Sequence, residues 1–144
     1  MNKKLFLIPL NILGYLFFIL GIGWIIVDEP WMLDKVANEE RIGMTFEKLF
    51  SEDINKSLPG YLKQIYRFFG LWVSVIGLFI IGFSKERFIE NKSIRMTLLF
   101  CVGFTVYSAL ILAYKFIPSS PFIYVGWGGV FLHLSSVLSH RKLT

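Results

Sequence analysis

Four apolar blocks, each close to the length that crosses a lipid bilayer, limit what this chain can fold into more than any other feature. They run from Leu5 to Val27, from about Phe68 to Phe83, from Met96 to Tyr114 and from Phe122 to Leu138. A helix rises 1.5 Å per residue, so about 20 residues cross the roughly 30 Å hydrocarbon core. The first and third blocks reach that length and the fourth is near its lower limit. The second reaches it only if its helix begins upstream, at Pro59. Ser57 is then expected to cap the helix and Pro59 to sit near its first position, where a missing N–H costs nothing. Leu62, Ile65, Tyr66 and Phe69 follow at helical spacing. The expected fold is all-α: an integral membrane four-helix bundle forming a single domain over residues 1–144. Its spans are expected at about 5–27, 60–83, 96–115 and 122–139, with an outer loop at 28–58.

Composition agrees. Hydrophobic residues make up 55% and charged residues only 17%, too few to cover the surface of a soluble domain of this size. The first block has the basic start of a signal peptide in Lys3 and Lys4, and Gly21 and Gly23 imitate a cleavage site. However, its apolar run continues through Trp24 to Val27 and contains no Ala-x-Ala site, so a retained span is expected.

Charge orients the spans. Lys3, Lys4, Lys85, Arg87, Lys92, Arg95, Arg141 and Lys142 fall on one side, with only Glu86 and Glu90 as acids. The loop at 28–58 and the start of span two mix Lys35, Arg41, Lys48, Lys56, Lys63 and Arg67 with eight acids, from Asp28 to Asp53. Lys and Arg near span ends favour the cytoplasm. Both termini are therefore expected inside, by default in a bacterial cytoplasmic membrane. The same rule explains the net charge of +5. There is no aromatic-and-basic stripe on a polar face, so a nucleic-acid partner is excluded. Trp24, Trp31, Tyr61, Tyr66, Tyr114 and Tyr124 fall at the expected outer level, as interfacial aromatics do.

The outer loop is not a featureless linker. Pro30, after Asp28 and Glu29, starts a predicted short helix with Met32, Leu33 and Val36 on one side. A second starts near Thr45, with Phe46, Leu49 and Phe50 at i, i+3 and i+4. Such helices cap the bundle or lie on the membrane surface. The sharper alternative is a lid or partner surface anchored by Trp31, Phe46, Leu49 and Phe50.

Within the spans, Gly70-x-x-x-Ser74, Gly77 and the Gly126, Gly128 and Gly129 cluster predict close helix packing. The favoured reading is packing within one chain over dimerisation. Arg67, between Tyr66 and Phe68, has two readings: its stem snorkels to the headgroups, or it faces a pocket holding an anionic headgroup or a loop acid. Tyr66 and His133 are the other candidate ligand or headgroup contacts. The favoured reading of His133 is a hydrogen bond between helices. The only other histidine, His140, lies seven residues on, too far to share a single-metal site in the manner of an i, i+4 pair, and Cys101 is the only cysteine. Cys101 is expected to be buried. Neither a metal nor a cofactor is expected. Asn11, Thr97, Thr105 and Ser108 are expected to bond across helices or back to the preceding turn.

The layout of a span, a long outer loop and an Arg just before a Gly in the second span (Tyr66-Arg67-Phe68-Phe69-Gly70) resembles small four-helix membrane families such as the DoxX-like proteins. The resemblance is one of architecture and assigns no functional residue. No catalytic motif is present: there is no phosphate loop, HExxH or nucleophile elbow. The expected function is therefore a non-enzymatic accessory or interaction subunit that binds membrane lipid or an apolar small molecule. Its partners would be lipids, another membrane protein or a second copy of itself. The alternatives are an oligomeric small transporter or channel and, less favoured, a lipid- or quinone-directed enzyme using Arg67.

Overall fold

The computed structural model describes residues 3–141, so Lys142 lies outside the described residues. Among them all regular structure is helical. The long helices are α1 (Lys4–Ile26), α4 (Leu58–Phe83), α6 (Lys92–Phe116) and α7 (Phe122–His140), all four long and apolar enough to cross a membrane. The loop after α1 carries a 3₁₀ turn at Pro30–Asp34, then α2 (Lys35–Ile42) and α3 (Phe46–Ser51), then a second 3₁₀ turn at Asp53–Asn55. A short α5 (Glu86–Ile89) joins α4 to α6.

The helix boundaries have local causes. α4 does begin upstream, with Pro59 in its first turn, but Ser57 makes no side-chain capping bond. α6 begins four residues before the predicted Met96 boundary. Asn91 caps it, Oδ1 accepting from the amides of Ser93 (2.9 Å) and Ile94 (3.3 Å), so the polar turn Lys92–Arg95 is already helical. Thr45 caps α3 by accepting from the Lys48 amide. α2 ends at Gly43, where φ of 77° puts the chain in the left-handed region that glycine tolerates.

The long helices pack in the order α4–α1–α7–α6, with α1 between α4 and α7, and α6 meeting α7. The α1–α4 seam is the tightest. A Cβ at Gly21 would lie 2.5 Å from the Gly70 carbonyl oxygen and 2.3 Å from Ser74 Oγ; one at Gly77 would lie 2.6 Å from the Gly14 carbonyl oxygen. Small residues therefore set the helix separation, as membrane helices require when lipid is as apolar as the side chains. Gly70-x-x-x-Ser74 packs within the chain against Gly21, and Gly77 packs against Gly14. The main apolar core lies among α1, α6 and α7 and includes Phe6, Leu10, Leu13, Val102 and Val106, with Ile80 of α4 and Ile89 of α5.

The ends of the molecule differ. At one end Lys3 pairs with Glu90 at 2.8 Å and the Phe6 ring lies 6.3 Å from His140, gathering the first residues, the α5 turn and the end of α7. At the other, Trp24 packs on Phe122 (5.2 Å) and Ser119 hydrogen-bonds Glu40, so the long loop sits against the α6–α7 turn.

The first loop helix is rotated from its predicted orientation. Met32, Leu33 and Val36 face outward, and Trp31, Asp34 and Ala37 face in. The 3₁₀ turn has three residues per turn rather than 3.6, which brings positions 31 and 34 into line, and α2 continues the buried side with Ala37.

Candidate functional site

α4 and α6 meet only slightly, and the gap between them is an apolar cleft of about 440 Å³. Ile76, Phe79, Ile80 and Phe83 form one wall. Ser93, Ile94, Thr97, Leu98, Cys101, Val102 and Thr105 form the other. These are the last two turns of α4 and the first half of α6, so the cleft lies in the half of the molecule nearer the termini. Its volume is in the range of about 300–1,000 Å³ typical of small-molecule sites.

The polar atoms along this cleft are few. Thr105 Oγ1 donates to the Cys101 carbonyl at 2.9 Å, which uses its proton within α6. Cys101 is exposed here, contrary to the burial expected from its apolar neighbours. Sequence reasoning missed the cleft because it arises from two helices failing to close, which neither helix's own pattern reveals. The turn from Ser84 to Asn91 sets their spacing, and Asn11 helps to fix it by donating to the Ser84 carbonyl at 3.3 Å.

The sequence-predicted candidates lie elsewhere. His133 is buried between α6 and α7. Its Nδ1 is 2.8 Å from Tyr107 Oη and its Nε2 is 2.9 Å from the Leu99 carbonyl oxygen. A carbonyl can only accept, so Nε2 carries the proton and Nδ1 accepts from the tyrosine. Both ring nitrogens are satisfied, as a helix-bridging histidine requires. Gly103 makes room for the ring, because a Cβ there would lie 2.8 Å from His133 Cε1.

Tyr66 and Arg67 are at the other end, where Tyr66 meets the long loop. Asn38 of α2 donates to the Trp31 carbonyl at 3.0 Å and to Tyr66 Oη at 3.2 Å, tying the loop to α4. Arg67 is exposed. Lys63, one turn earlier, pairs with Asp28 at 2.9 Å. That hydrogen bond and charge hold the Asp28 carboxyl below its ordinary range, with a smaller contribution from Arg67. Trp31, Phe46 and Phe50 pack on one another at centroid distances of 5.5–6.3 Å. Trp31 and Phe46 are buried, while Leu49 and Phe50 are partly so. The three rings thus hold the loop together from inside, and the loop's outward apolar groups are Met32, Leu33, Val36, Ile42, Met44 and Ile54.

One buried cation was read in the sequence only as a topology signal. Arg95 is 7% exposed. Its Nη1 donates to the carbonyls of Ile89 (2.6 Å) and Glu90 (3.3 Å), and its Nε to His140 Nδ1 (3.3 Å). It closes the C-terminal end of α5, where unpaired carbonyls accumulate, and links that turn to α7.

Among the described residues no group of three or more His, Cys, Asp or Glu is arranged to hold a metal ion. No family model, curated protein or solved structure matches the chain.

Proposed function

We propose that this chain is a multi-pass membrane protein without catalytic activity, an accessory or interaction subunit that holds a lipid chain or another apolar small molecule between α4 and α6. The cleft carries this reading: it has a volume of about 440 Å³ and is lined almost wholly by apolar groups. Four helices of sufficient length and apolarity support the membrane setting. The gathering of Lys3, the α5 turn and the end of α7 at one end supports a topology with both termini on the cytoplasmic side.

A transporter or channel finds less support. Ser74, Ser136 and His133 bond to backbone carbonyls of neighbouring helices, so these interior polar groups are occupied by packing contacts.

Native mass spectrometry of the full chain in mild detergent with added dioleoylphosphatidylcholine tests the reading. One retained lipid per chain is expected, and Thr97→Trp, which puts an indole into the cleft from an exposed position, is expected to abolish retention. A chain that holds no lipid, or that holds it equally after Thr97→Trp, overturns the assignment.

A further inference from the structure

The cleft has a charged mouth. Phe83, on its α4 wall, packs on Phe88 of α5 with ring centroids 5.3 Å apart, and the Arg87 guanidinium lies over the Phe88 ring at 4.6 Å. This stack places a cation beside the Phe83 end of the apolar walls. Across the mouth, Lys92 is the first residue of α6, directly before Ser93 and Ile94, which line the cleft. Lys85 lies in the same turn. All three basic residues are exposed, and among the described residues none is within ion-pairing distance of a carboxylate. The acids of this turn do not balance them: Glu90 is engaged by Lys3 at 2.8 Å, leaving Glu86. Arg95, the remaining cation of the turn, is directed inward to backbone carbonyls.

Apolar walls alone discriminate poorly among lipids, because an acyl chain leaves one hydrocarbon environment for another when it enters from the bilayer. Selectivity has to come from the headgroup, at the level where Arg87 and Lys92 lie. Guanidinium and ammonium groups there favour a phosphate with no compensating cation of its own.

We propose that the cleft is a site for one anionic phospholipid from the leaflet on the termini side, with an acyl chain between α4 and α6 and its phosphate against Arg87 and Lys92. This rests on the lipid-binding reading above and adds the headgroup class, the leaflet and the residues that choose it.

The test is a competition. The full-length protein in mild detergent is given equimolar dioleoylphosphatidylglycerol and dioleoylphosphatidylcholine, and the adducts are counted by native mass spectrometry. The wild type is expected to favour phosphatidylglycerol. Arg87→Ala with Lys92→Ala is expected to remove the preference, at roughly five-fold for each basic residue lost, while phosphatidylcholine adducts persist. Those persisting adducts also show that the variant is folded. Equal retention of the two lipids by the wild type overturns the headgroup assignment and leaves the cleft reading intact. A preference that survives the double substitution overturns the assignment to Arg87 and Lys92. Retention of neither lipid overturns both proposals.

Discussion

Asp34 closes the 3₁₀ turn of the long loop and is buried, and its Oδ1 has no hydrogen-bond partner. Burial pushes its carboxyl above the ordinary 3.8, and the neighbouring Ser120 hydroxyl opposes this in part. The folded chain therefore holds this proton more tightly than the unfolded chain. The stability this group contributes is full below the unfolded value, falls as pH rises toward the raised folded value and is level above it. Asp34→Asn keeps the shape and removes the titration. Melting curves in detergent across that window should show a flatter pH profile for the variant and a higher midpoint at neutral pH. Superimposable profiles would mean that the carboxylate is solvated when charged. In the sequence Asp34 is one acid among several in an acidic loop, and its burial depends on the rotation of the 3₁₀ turn. Arg95 was hidden for the same kind of reason: its partners are carbonyls, which no side-chain pattern records. His133 was legible, since a lone polar ring in an apolar helix has few outcomes other than bonding to a neighbouring helix.

At the level of elements, the seam between α1 and α4 depends on atoms that are absent. Gly21→Val would drive side-chain carbon into Ser74 and the Gly70 carbonyl, both at 2.5 Å or less from the first added atom. Overpacking of this kind costs about 1–3 kcal/mol, read as a lower midpoint in thermal unfolding in micelles. Gly128→Ala meets nothing within 4 Å and should leave the midpoint unchanged or raise it slightly. A Gly21→Val protein as stable as the wild type would show that the seam can separate without penalty. The small residues of α4 could be read as a packing surface from their spacing. Their partners on α1 could not, because Gly14 and Gly21 are seven residues apart within an otherwise bulky run. The long helices were legible because length and apolarity are summed over many residues. Both loop helices were located correctly, and the second in its predicted orientation, but the first is rotated, since two or three apolar positions cannot distinguish a 3₁₀ turn from an α turn.

For the whole molecule, the four long helices bring Lys3 and Phe6, the α5 turn and the end of α7 to one end, and the long loop and the α6–α7 turn to the other. Single cysteines in a Cys101→Ser background test the proposed orientation. Ser119→Cys should react with an impermeant maleimide on intact cells, and Arg87→Cys only after the membrane is opened. The reverse pattern would invert the topology. The order of packing also has a consequence in time. A chain made from its N-terminus completes the α1–α4 seam as soon as its second long helix emerges. The third, α6, finds little to hold on α4 and gains its main neighbour only with α7. Until those last helical residues are synthesised, α6 is anchored chiefly by the short turn behind it. Maturation of this protein thus has a delayed step, in which α7 fastens the helix translated before it.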